Sequence, residues 1–235
     1  MVTSKQKSIS FFCPAYNDEG NLPDLIPQVV NFLKKNFDAY EIFIIDDGAK
    51  DNTGLVADEL ALQYPHITVV HHQKNKGYSA TLKEGFQLGK YEWVMYTDGD
   101  NQYDVHDVED YLYLLDDSDL ICGYATKKAV SLGRRIQSFV FNTIINMLFQ
   151  VKFKDINCSV KIIKKEVLDN IQITSSPYGA FVDAELVLKA HQLQYKIKQF
   201  PVVHYERKSG VASGSKPYLV LYTLKDMIKL RFSIS

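Results

Sequence analysis

The stretch TDGDNQYD at 97–104 concentrates side chains that can bind a cation. Two carboxylates, Asp98 and Asp100, flank Gly99 directly after the apolar run YEWVMY, and Gln102 follows two residues later. The glycine allows the backbone to turn, so that the two carboxylates can lie near one point. Oxygen ligands suit Mg²⁺ or Mn²⁺, which proteins usually bind through one or two carboxylates together with substrate phosphates. The stretch therefore predicts a divalent-cation site at the end of a buried strand.

Three other polar stretches follow apolar runs in the same way. The first half of the chain is predicted to contain strands at 8–13, 40–46, 66–72 and 91–97 and helices at 21–36, 51–64 and 78–89. Strands that alternate with helices indicate βαβ units and a mostly parallel sheet, in which ligands bind beyond the carboxyl ends of the strands. The stretches CPAYNDEG, DDGAKDNTG, QKNKG and TDGDNQYD should therefore meet at one edge of an α/β sheet and form one binding site.

The second half has a looser pattern. Strands are predicted at 118–123, near 156–163 and at 196–203, with helices at 132–149 and 180–194 and a last helical stretch at 217–230. The run RKSGVASGSK before that last stretch is rich in Gly, Ser and Lys, which is typical of a loop. We therefore expect one α/β domain over 1–205, followed by a basic loop and a C-terminal amphipathic helix over 206–235.

The charge is distributed unevenly along the chain. The formal net charge of −1 indicates no polyanionic partner, and we expect no binding to nucleic acid. The stretch from Tyr96 to Leu120 is acidic and has no Lys or Arg, whereas basic residues outnumber acidic ones from Lys196 onward. A site that holds both a metal cation and phosphates requires such a division of charge.

The cysteines and the apolar runs indicate the compartment. Three cysteines at irregular spacing argue for free thiols in a reducing environment rather than for disulfides or a zinc site. No run is apolar enough for a signal-peptide core or a membrane span. We therefore expect a cytoplasmic protein.

The motifs together resemble those of family 2 glycosyltransferases with the GT-A fold. The residues that carry this resemblance are PAYNDEGN (14–21), IDDGAKDNT (45–53), NKGYSATLKEG (75–85) and TDGDNQ (97–102). Downstream, DINCSVKIIKKEVL (155–168), FVDAELVLKA (181–190) and FPVVHYERKSGVASGSK (200–216) are similar to segments of the polyprenyl-phosphate subgroup, which includes dolichol-phosphate mannose synthase. The resemblance covers nearly the whole chain. It implies a nucleotide-binding half and a mostly parallel central sheet flanked by helices.

The resemblance also implies a nucleotide-diphosphate sugar as donor and Mg²⁺ or Mn²⁺ as cofactor. Asp98, Asp100 and Gln102 would bind the metal, and Asp100 is a candidate catalytic residue. The expected donor-binding residues are Pro14, Tyr16, Glu19, Asp47, Lys76, Asp98, Arg207 and Lys216. Of the histidines, His204 lies where the family has a His near the phosphates, and we predict no metal-binding role for any of them.

The acceptor implied by the subgroup is a polyprenyl phosphate. A phosphate monoester is largely dianionic at neutral pH, so it needs cations to hold it and no general base. Lys127, Arg134 and Ser138 are the candidate phosphate ligands, and the last two are four residues apart on one face of the predicted helix 132–149. The subgroup usually has an arginine where this chain has Ala125, which leaves the acceptor less firmly assigned than the donor.

Two alternatives follow from the same residues. A sugar hydroxyl of a glycan could be the acceptor, because a hydroxyl needs a general base and Asp155 or Asp183 could serve as one. An inactive GT-A-like binding module is the other alternative, although the intact cluster of Asp98, Asp100 and Gln102 argues against it.

The last predicted helix has two interpretations. Lys225 and Lys229 fall on one face at helical spacing, whereas Tyr222, Met227 and Leu230 lie largely elsewhere. The helix could pack on the sheet, or it could lie on an anionic membrane and bring the site to a lipid acceptor. The second interpretation predicts a peripheral protein at the inner face of the membrane.

Overall fold

The computed structural model describes residues 6–177, 179–209 and 217–233. Within them, strands and helices alternate along the first half of the chain, as the apolar periodicity predicts. The strands are β1 (Gln6–Ala15), β2 (Phe37–Asp46), β3 (Ile67–His71), β4 (Trp93–Tyr96), β5 (Leu120–Lys128), β6 (Lys161–Lys164) and β7 (Ile197–His204). The helices are α1 (Leu22–Asn36), α2 (Thr53–Gln63), α3 (Tyr78–Leu88), α4 (Leu132–Phe149), α5 (Lys165–Asn170), α6 (Val182–Gln192) and α7 (Pro217–Ser233), and a run of 3-10 turns spans Val105–Asp117.

The strands form one sheet in the order β3-β2-β1-β4-β6-β5-β7. The first four in this order are mutually parallel, so their carboxyl ends lie along one edge. The α/β fold with a mostly parallel sheet is thereby confirmed. Strand β6 runs antiparallel between β4 and β5, and β7 then pairs parallel to β5.

Two apolar clusters cover the two faces of the sheet. The first packs α1, α2 and the 3-10 turns against the sheet, and the second includes residues of α3, α4, α6 and α7. Close packing within the second cluster depends on Gly85 of α3, because a Cβ placed there would lie 2.2 Å from the ring of Phe12 in β1. The glycine thus sets how closely α3 approaches the sheet.

Three elements differ from the sequence prediction. The 3-10 turns were not predicted, and they begin where the Asp104 carboxylate accepts a hydrogen bond from the backbone N–H of His106 at 2.9 Å. The short α5 was also missed. The strand predicted near 156–163 is displaced to Lys161–Lys164, because the apolar residues before it are buried in a loop instead of a strand.

Helix α7 packs one face on the domain. Met227 and Leu230 are buried in the second apolar cluster, and the Asp226 carboxylate accepts from the backbone N–H of Ser176 at 2.8 Å. Phe232, on the same helix, is exposed. No helix among the described residues combines the length and the hydropathy that crossing a bilayer requires.

The contact between α3 and β1 gives a stability prediction. Gly85→Val should destabilise the protein by about 2 kcal/mol or more, because the added methyl groups overlap the Phe12 ring in a packed core. Urea unfolding measures the change. The matched control is Gly133→Ala in α4, where an added Cβ meets nothing within 4 Å and should leave stability unchanged or slightly higher. Equal effects of the two substitutions would contradict this view of the packing.

Candidate functional site

The loops after β1, β2 and β4 are tied to one another by backbone hydrogen bonds. The N–H of Asp47 donates to the carbonyl of Ala15 at 2.9 Å, and that of Gly99 donates to the carbonyl of Pro14 at 3.1 Å. The N–H of Asp18 donates to the Thr53 hydroxyl at 2.7 Å. The polar strand ends predicted from sequence therefore form one continuous surface.

Asp98 and Asp100 lie at the centre of this surface. The Asp98 Oδ1 atom is buried and has no hydrogen-bond partner within the described residues. Burial is the largest cause that raises the pKa of Asp98, and the nearby carboxylates of Asp100 and Asp183 raise it further. Asp100 Oδ1 accepts from the N–H of Gln102 at 3.1 Å, and its Oδ2 accepts from the Arg207 guanidinium at 2.5 Å. The cluster thus carries an excess of negative charge that a cation can neutralise.

The donor set suits a hard divalent cation that also binds phosphate. Two adjacent carboxylates are present, one with a buried oxygen that lacks a partner. In the part of the chain that the structure describes, no three His, Cys, Asp or Glu side chains form a preassembled metal cluster. This combination fits Mg²⁺ or Mn²⁺, which bind through one or two carboxylates and complete their coordination with phosphate oxygens and water.

His204, which the family resemblance puts near the phosphates, adjoins the same cluster through a bridge with Tyr103. Its Nδ1 atom is buried without a partner among the described residues, and its ring packs edge-on against Tyr103 with centroids 5.1 Å apart. Burial lowers the pKa of the His204 imidazole, although the negative charge of Asp100 acts to raise it. His204 lies at the end of β7, three residues before Arg207.

An ion pair lies beneath Asp98. The Lys161 ammonium is fully buried and donates to Asp183 Oδ1 at 2.7 Å, and the hydroxyl of Tyr96 donates to the same oxygen. The hydroxyl of Tyr78 reaches Asp183 Oδ2 at 3.4 Å. Asp183 is thus held in a buried network directly behind the acidic surface.

The expected nucleotide-binding residues lie on the loops after β1, β2 and β3. Pro14 is buried and Tyr16 is half-buried, while Glu19 accepts from the N–H of Asn52 at 2.8 Å. Asp47 is buried. It accepts from the ring of His72 at 2.7 Å.

The backbone of the β3 loop also binds Asp47, through the N–H groups of Lys76 at 2.7 Å and Gly77 at 3.0 Å. The Lys76 ammonium pairs with Glu84 at 3.0 Å. Asp47 therefore fixes the position of this loop in the described structure. Lys216 lies outside the described residues.

A basic cavity lies between α4, the end of β5 and the loop before Asp155. Its volume is about 330 Å³. The lining residues are Lys128, Arg135, Ser138, Phe139, Asn142, Thr143, Asn146, Phe153 and Lys154. Three of them are cations, so the cavity is suited to an anion.

The structure brings Ser138 to this cavity but not the other two predicted acceptor ligands. The Lys128 ammonium donates to the Ser138 hydroxyl at 2.7 Å and pairs with Asp155 at 2.8 Å. Lys127 is exposed, and neither it nor Arg134 lines the cavity. Instead, the cavity is lined by Lys128 and Arg135, which are the chain neighbours of the predicted ligands Lys127 and Arg134.

The two candidate general bases both have cationic partners. Asp155 is buried beside Lys128 at the cavity, and Asp183 is enclosed with Lys161 behind Asp98. Of the two, only Asp155 adjoins the basic cavity.

Comparisons with known proteins agree with this geometry. The chain is 28% identical to a dolichyl-phosphate beta-glucosyltransferase of Dictyostelium discoideum, over 95% of this chain and 74% of the relative. It is 27% identical to a polyprenol monophosphomannose synthase of Mycolicibacterium smegmatis, over 86% and 79%. The fold matches glucosyl-3-phosphoglycerate synthase from Mycobacterium tuberculosis, solved with Mn²⁺, UDP and phosphoglyceric acid, with a TM-score of 0.72 and 17% identity over 97% of this chain and 78% of that one.

The family model described as glycosyl transferase family 2 matches residues 10–172, which include the loops that follow β1 to β4 and the whole of α4. The matched range contains Asp98 and Asp100 but ends before His204 and Arg207. The chain therefore belongs to glycosyl transferase family 2 and is a glycosyltransferase with a GT-A fold.

Proposed function

We propose that this glycosyltransferase moves a sugar from a nucleotide-diphosphate sugar to a polyprenyl phosphate, with inversion at the anomeric carbon and with Mg²⁺ or Mn²⁺ as cofactor. The observation that carries the proposal is that an acidic cluster and a basic cavity both adjoin the end of β7. There His204 pairs with Lys128, which lines the cavity, and forms a bridge with Tyr103, which follows the cluster in the chain. The names of the two relatives, a dolichyl-phosphate glucosyltransferase and a polyprenol monophosphomannose synthase, support the same acceptor class.

The acidic cluster is the proposed donor side. Asp98 and Asp100, with Gln102, would hold the divalent cation, which when bound neutralises charge on the departing nucleoside diphosphate. Pro14, Tyr16, Glu19 and Asp47 would form the nucleotide pocket, with Lys76 beside it. Hydrogen bonds connect the loops that carry these residues, which favours a preorganised pocket.

The basic cavity is the proposed acceptor side. A phosphate monoester that is already dianionic needs cations and hydrogen-bond donors, which Lys128, Arg135 and Ser138 supply. The attacking phosphate oxygen requires no general base. The ion pairs that occupy Asp155 and Asp183 support this route, because neither carboxylate is free in the described structure.

A glycan hydroxyl is the second candidate acceptor, and one observation favours it. Asp155 adjoins the cavity, and release from Lys128 would turn it into a general base. On that route the Lys128–Asp155 pair would break before each turnover. On the phosphate route Asp155 can remain paired throughout.

We also propose that the protein binds a membrane surface through the outer face of α4. This face carries large exposed apolar side chains at helical spacing: Leu132, Ile136, Phe139, Val140, Ile144 and Met147. The helix has no Asp or Glu, and Arg134 and Arg135 lie near its start. An apolar face beside cations is the pattern of a helix that lies in an anionic lipid interface.

Helix α7 adds a smaller exposed apolar area to the membrane proposal. Leu221, Ile228 and Phe232 are exposed, whereas Met227 and Leu230 are packed in the core. The two interpretations of this helix are therefore compatible, since different faces can serve packing and lipid contact. Deletion of the helix would expose the core, so substitutions on its surface and on α4 are the cleaner test.

The donor proposal predicts the effect of Asp100→Ala. Transfer should fall by about a hundredfold or more, because a carboxylate that would hold the cation at the departing phosphates is lost. Isothermal titration with UDP-sugars and GDP-sugars should give Mn²⁺-dependent binding in the unaltered protein and much weaker binding in the variant. Asp110→Ala, at an exposed carboxylate, is the matched control and should bind donor normally. Near-normal transfer by Asp100→Ala in Mn²⁺ would refute the assignment.

The acceptor proposal predicts that Lys128→Met lowers kcat/KM for a polyprenyl phosphate about tenfold to a hundredfold, since hydrogen bonds to charged groups contribute roughly 1.5–3 kcal/mol. Hydrolysis of the donor without acceptor should persist. Lys127→Met is the matched control, and Arg134→Ala tests the residue chosen from sequence. Because Lys128→Met leaves Asp155 without its ammonium partner, the double variant with Asp155→Asn separates lost folding from lost binding. Equal losses with and without acceptor would place Lys128 outside the acceptor site.

The membrane proposal predicts sedimentation with phosphatidylglycerol vesicles at low salt and less with phosphatidylcholine vesicles. Basic residues near an anionic surface contribute about 1 kcal/mol each and lose it in salt. Replacement of Ile136, Phe139 and Met147 by Ser should abolish sedimentation without loss of thermal stability. Leu55 and Leu62 on α2 are 64% and 89% exposed, and their replacement by Ser is the control. Loss of binding in the control, or retention in the α4 variant, would contradict the proposed surface.

A further inference from the structure

The segment 204–209 begins at the last residue of β7 and crosses the acidic surface. It is here called the strap. The N–H of Tyr205 donates to the carbonyl of Gln102 at 2.8 Å, and the Gln102 side-chain amide donates to the carbonyl of Tyr205 at 3.0 Å. At its far end, the carbonyl of Ser209 accepts from the Asn21 side-chain amide at 3.3 Å. The strap therefore bridges the loops after β4 and β1, two of the loops proposed to contact the donor.

Arg207 lies at the middle of the strap and faces two carboxylates. One guanidinium nitrogen is 2.5 Å from Asp100 Oδ2, and the other is 3.7 Å from Asp18 Oδ1. The Arg207 side chain is 21% exposed, so these contacts are largely shielded from solvent. Its Nε atom is buried and has no partner among the described residues. Arg207 thus neutralises the cluster while it retains hydrogen-bonding capacity for another group.

The Asp100 oxygen that Arg207 occupies belongs to the carboxylate proposed as a metal ligand. A divalent cation at Asp98 and Asp100 would face repulsion from the guanidinium unless Arg207 moved away from that oxygen. A diphosphate beside the cation offers the guanidinium a better partner, because arginine binds phosphate oxygens through two parallel hydrogen bonds. The same side chain can therefore serve two successive partners in one place.

We propose that Arg207 is an exchangeable internal cation: it balances Asp100 and Asp18 in the free protein, and binding of metal and diphosphate transfers it from Asp100 to the phosphates. The proposal rests on the function proposed above and adds an order of events to it. Free metal alone binds weakly because it competes with Arg207. Metal and nucleotide together bind tightly because the displaced guanidinium gains a partner. Gln102 and Asn21 hold the two ends of the strap, so the exchange is a movement of the Arg207 side chain between those ends.

The experiment compares Mn²⁺ and UDP or GDP binding in the unaltered protein and in Arg207→Met. Electron paramagnetic resonance of free Mn²⁺ measures metal affinity without nucleotide. The variant should bind Mn²⁺ about threefold to tenfold more tightly, because the competing cation is gone and the like charges of Asp18 and Asp100 remain. At saturating Mn²⁺, the variant should bind the nucleoside diphosphate at least tenfold more weakly, because the phosphate contact is lost. Exchange therefore predicts that Mn²⁺ binds more tightly and the nucleoside diphosphate more weakly in the same variant.

Lys208→Met is the matched control. Lys208 is the next residue of the strap and pairs at 2.6 Å with Asp24, and both of these side chains are about half exposed or more. Its loss should leave both affinities within about twofold, since surface ion pairs contribute little. Arg207→Lys should show intermediate behaviour.

The outcomes separate this proposal from the function on which it rests. Unchanged or weaker Mn²⁺ affinity in Arg207→Met overturns the exchange, as does unchanged nucleotide affinity. If the unaltered protein binds neither UDP nor GDP in the presence of Mn²⁺ or Mg²⁺, the donor proposal itself fails. Tighter metal binding with weaker nucleotide binding supports both.

Discussion

Repulsion among carboxylates at the end of β4 is the constraint on which the rest of the site depends. Asp98 has both Asp100 and Asp183 as charged neighbours, and this proximity adds to burial in raising the pKa of its carboxyl. Such an arrangement persists only where cations balance it. The protein supplies one cation permanently, in the buried Lys161 that pairs with Asp183, and one at the surface, in Arg207 that pairs with Asp100.

These two cations differ in whether another group can replace their contacts with the carboxylates. Lys161 is enclosed by the protein, and removing it would leave a buried carboxylate unpaired, which is strongly unfavourable. Arg207 lies on a short segment over the surface, where an incoming group can replace its contact. The fixed pair therefore holds the framework of the cluster, whereas the proposed exchange at Arg207 would leave the cluster able to bind a cation and a phosphate group. The antiparallel β6 makes this possible, because it places Lys161 next to β4 within the sheet.

The sequence predicted the parallel strands, their polar ends and helix 132–149, because apolar periodicity and the spacing of Asp and Gly are local signals. Lys127, a predicted phosphate ligand, does not line the cavity, whereas Lys128 does. The pairing of β5 with β7 shifts register between Ala125 and Lys127, and no local pattern in the sequence indicates such a shift.

Other features of the site were not predictable for physical reasons. The apolar face of α4 has the same periodicity as a core helix, so the sequence could not show that this face is exposed. His204 and Lys161 gain their surroundings from strands far away along the chain, and no local pattern reports such contacts. The strap contacts of Arg207 with Asp18 and Asp100 are likewise long-range.

We propose that the basic cavity binds the phosphate of the acceptor and that the acidic cluster binds the nucleotide-diphosphate sugar. The most direct measurement is transfer of radiolabelled sugar from a panel of UDP-sugars and GDP-sugars, with Mn²⁺ or Mg²⁺, to a short-chain polyprenyl phosphate and to the matching polyprenol that lacks the phosphate. We expect metal-dependent transfer to the phosphate from at least one donor, with inversion at the anomeric carbon, and none to the alcohol. Equal transfer to the alcohol, or transfer only to a glycan hydroxyl, would contradict it.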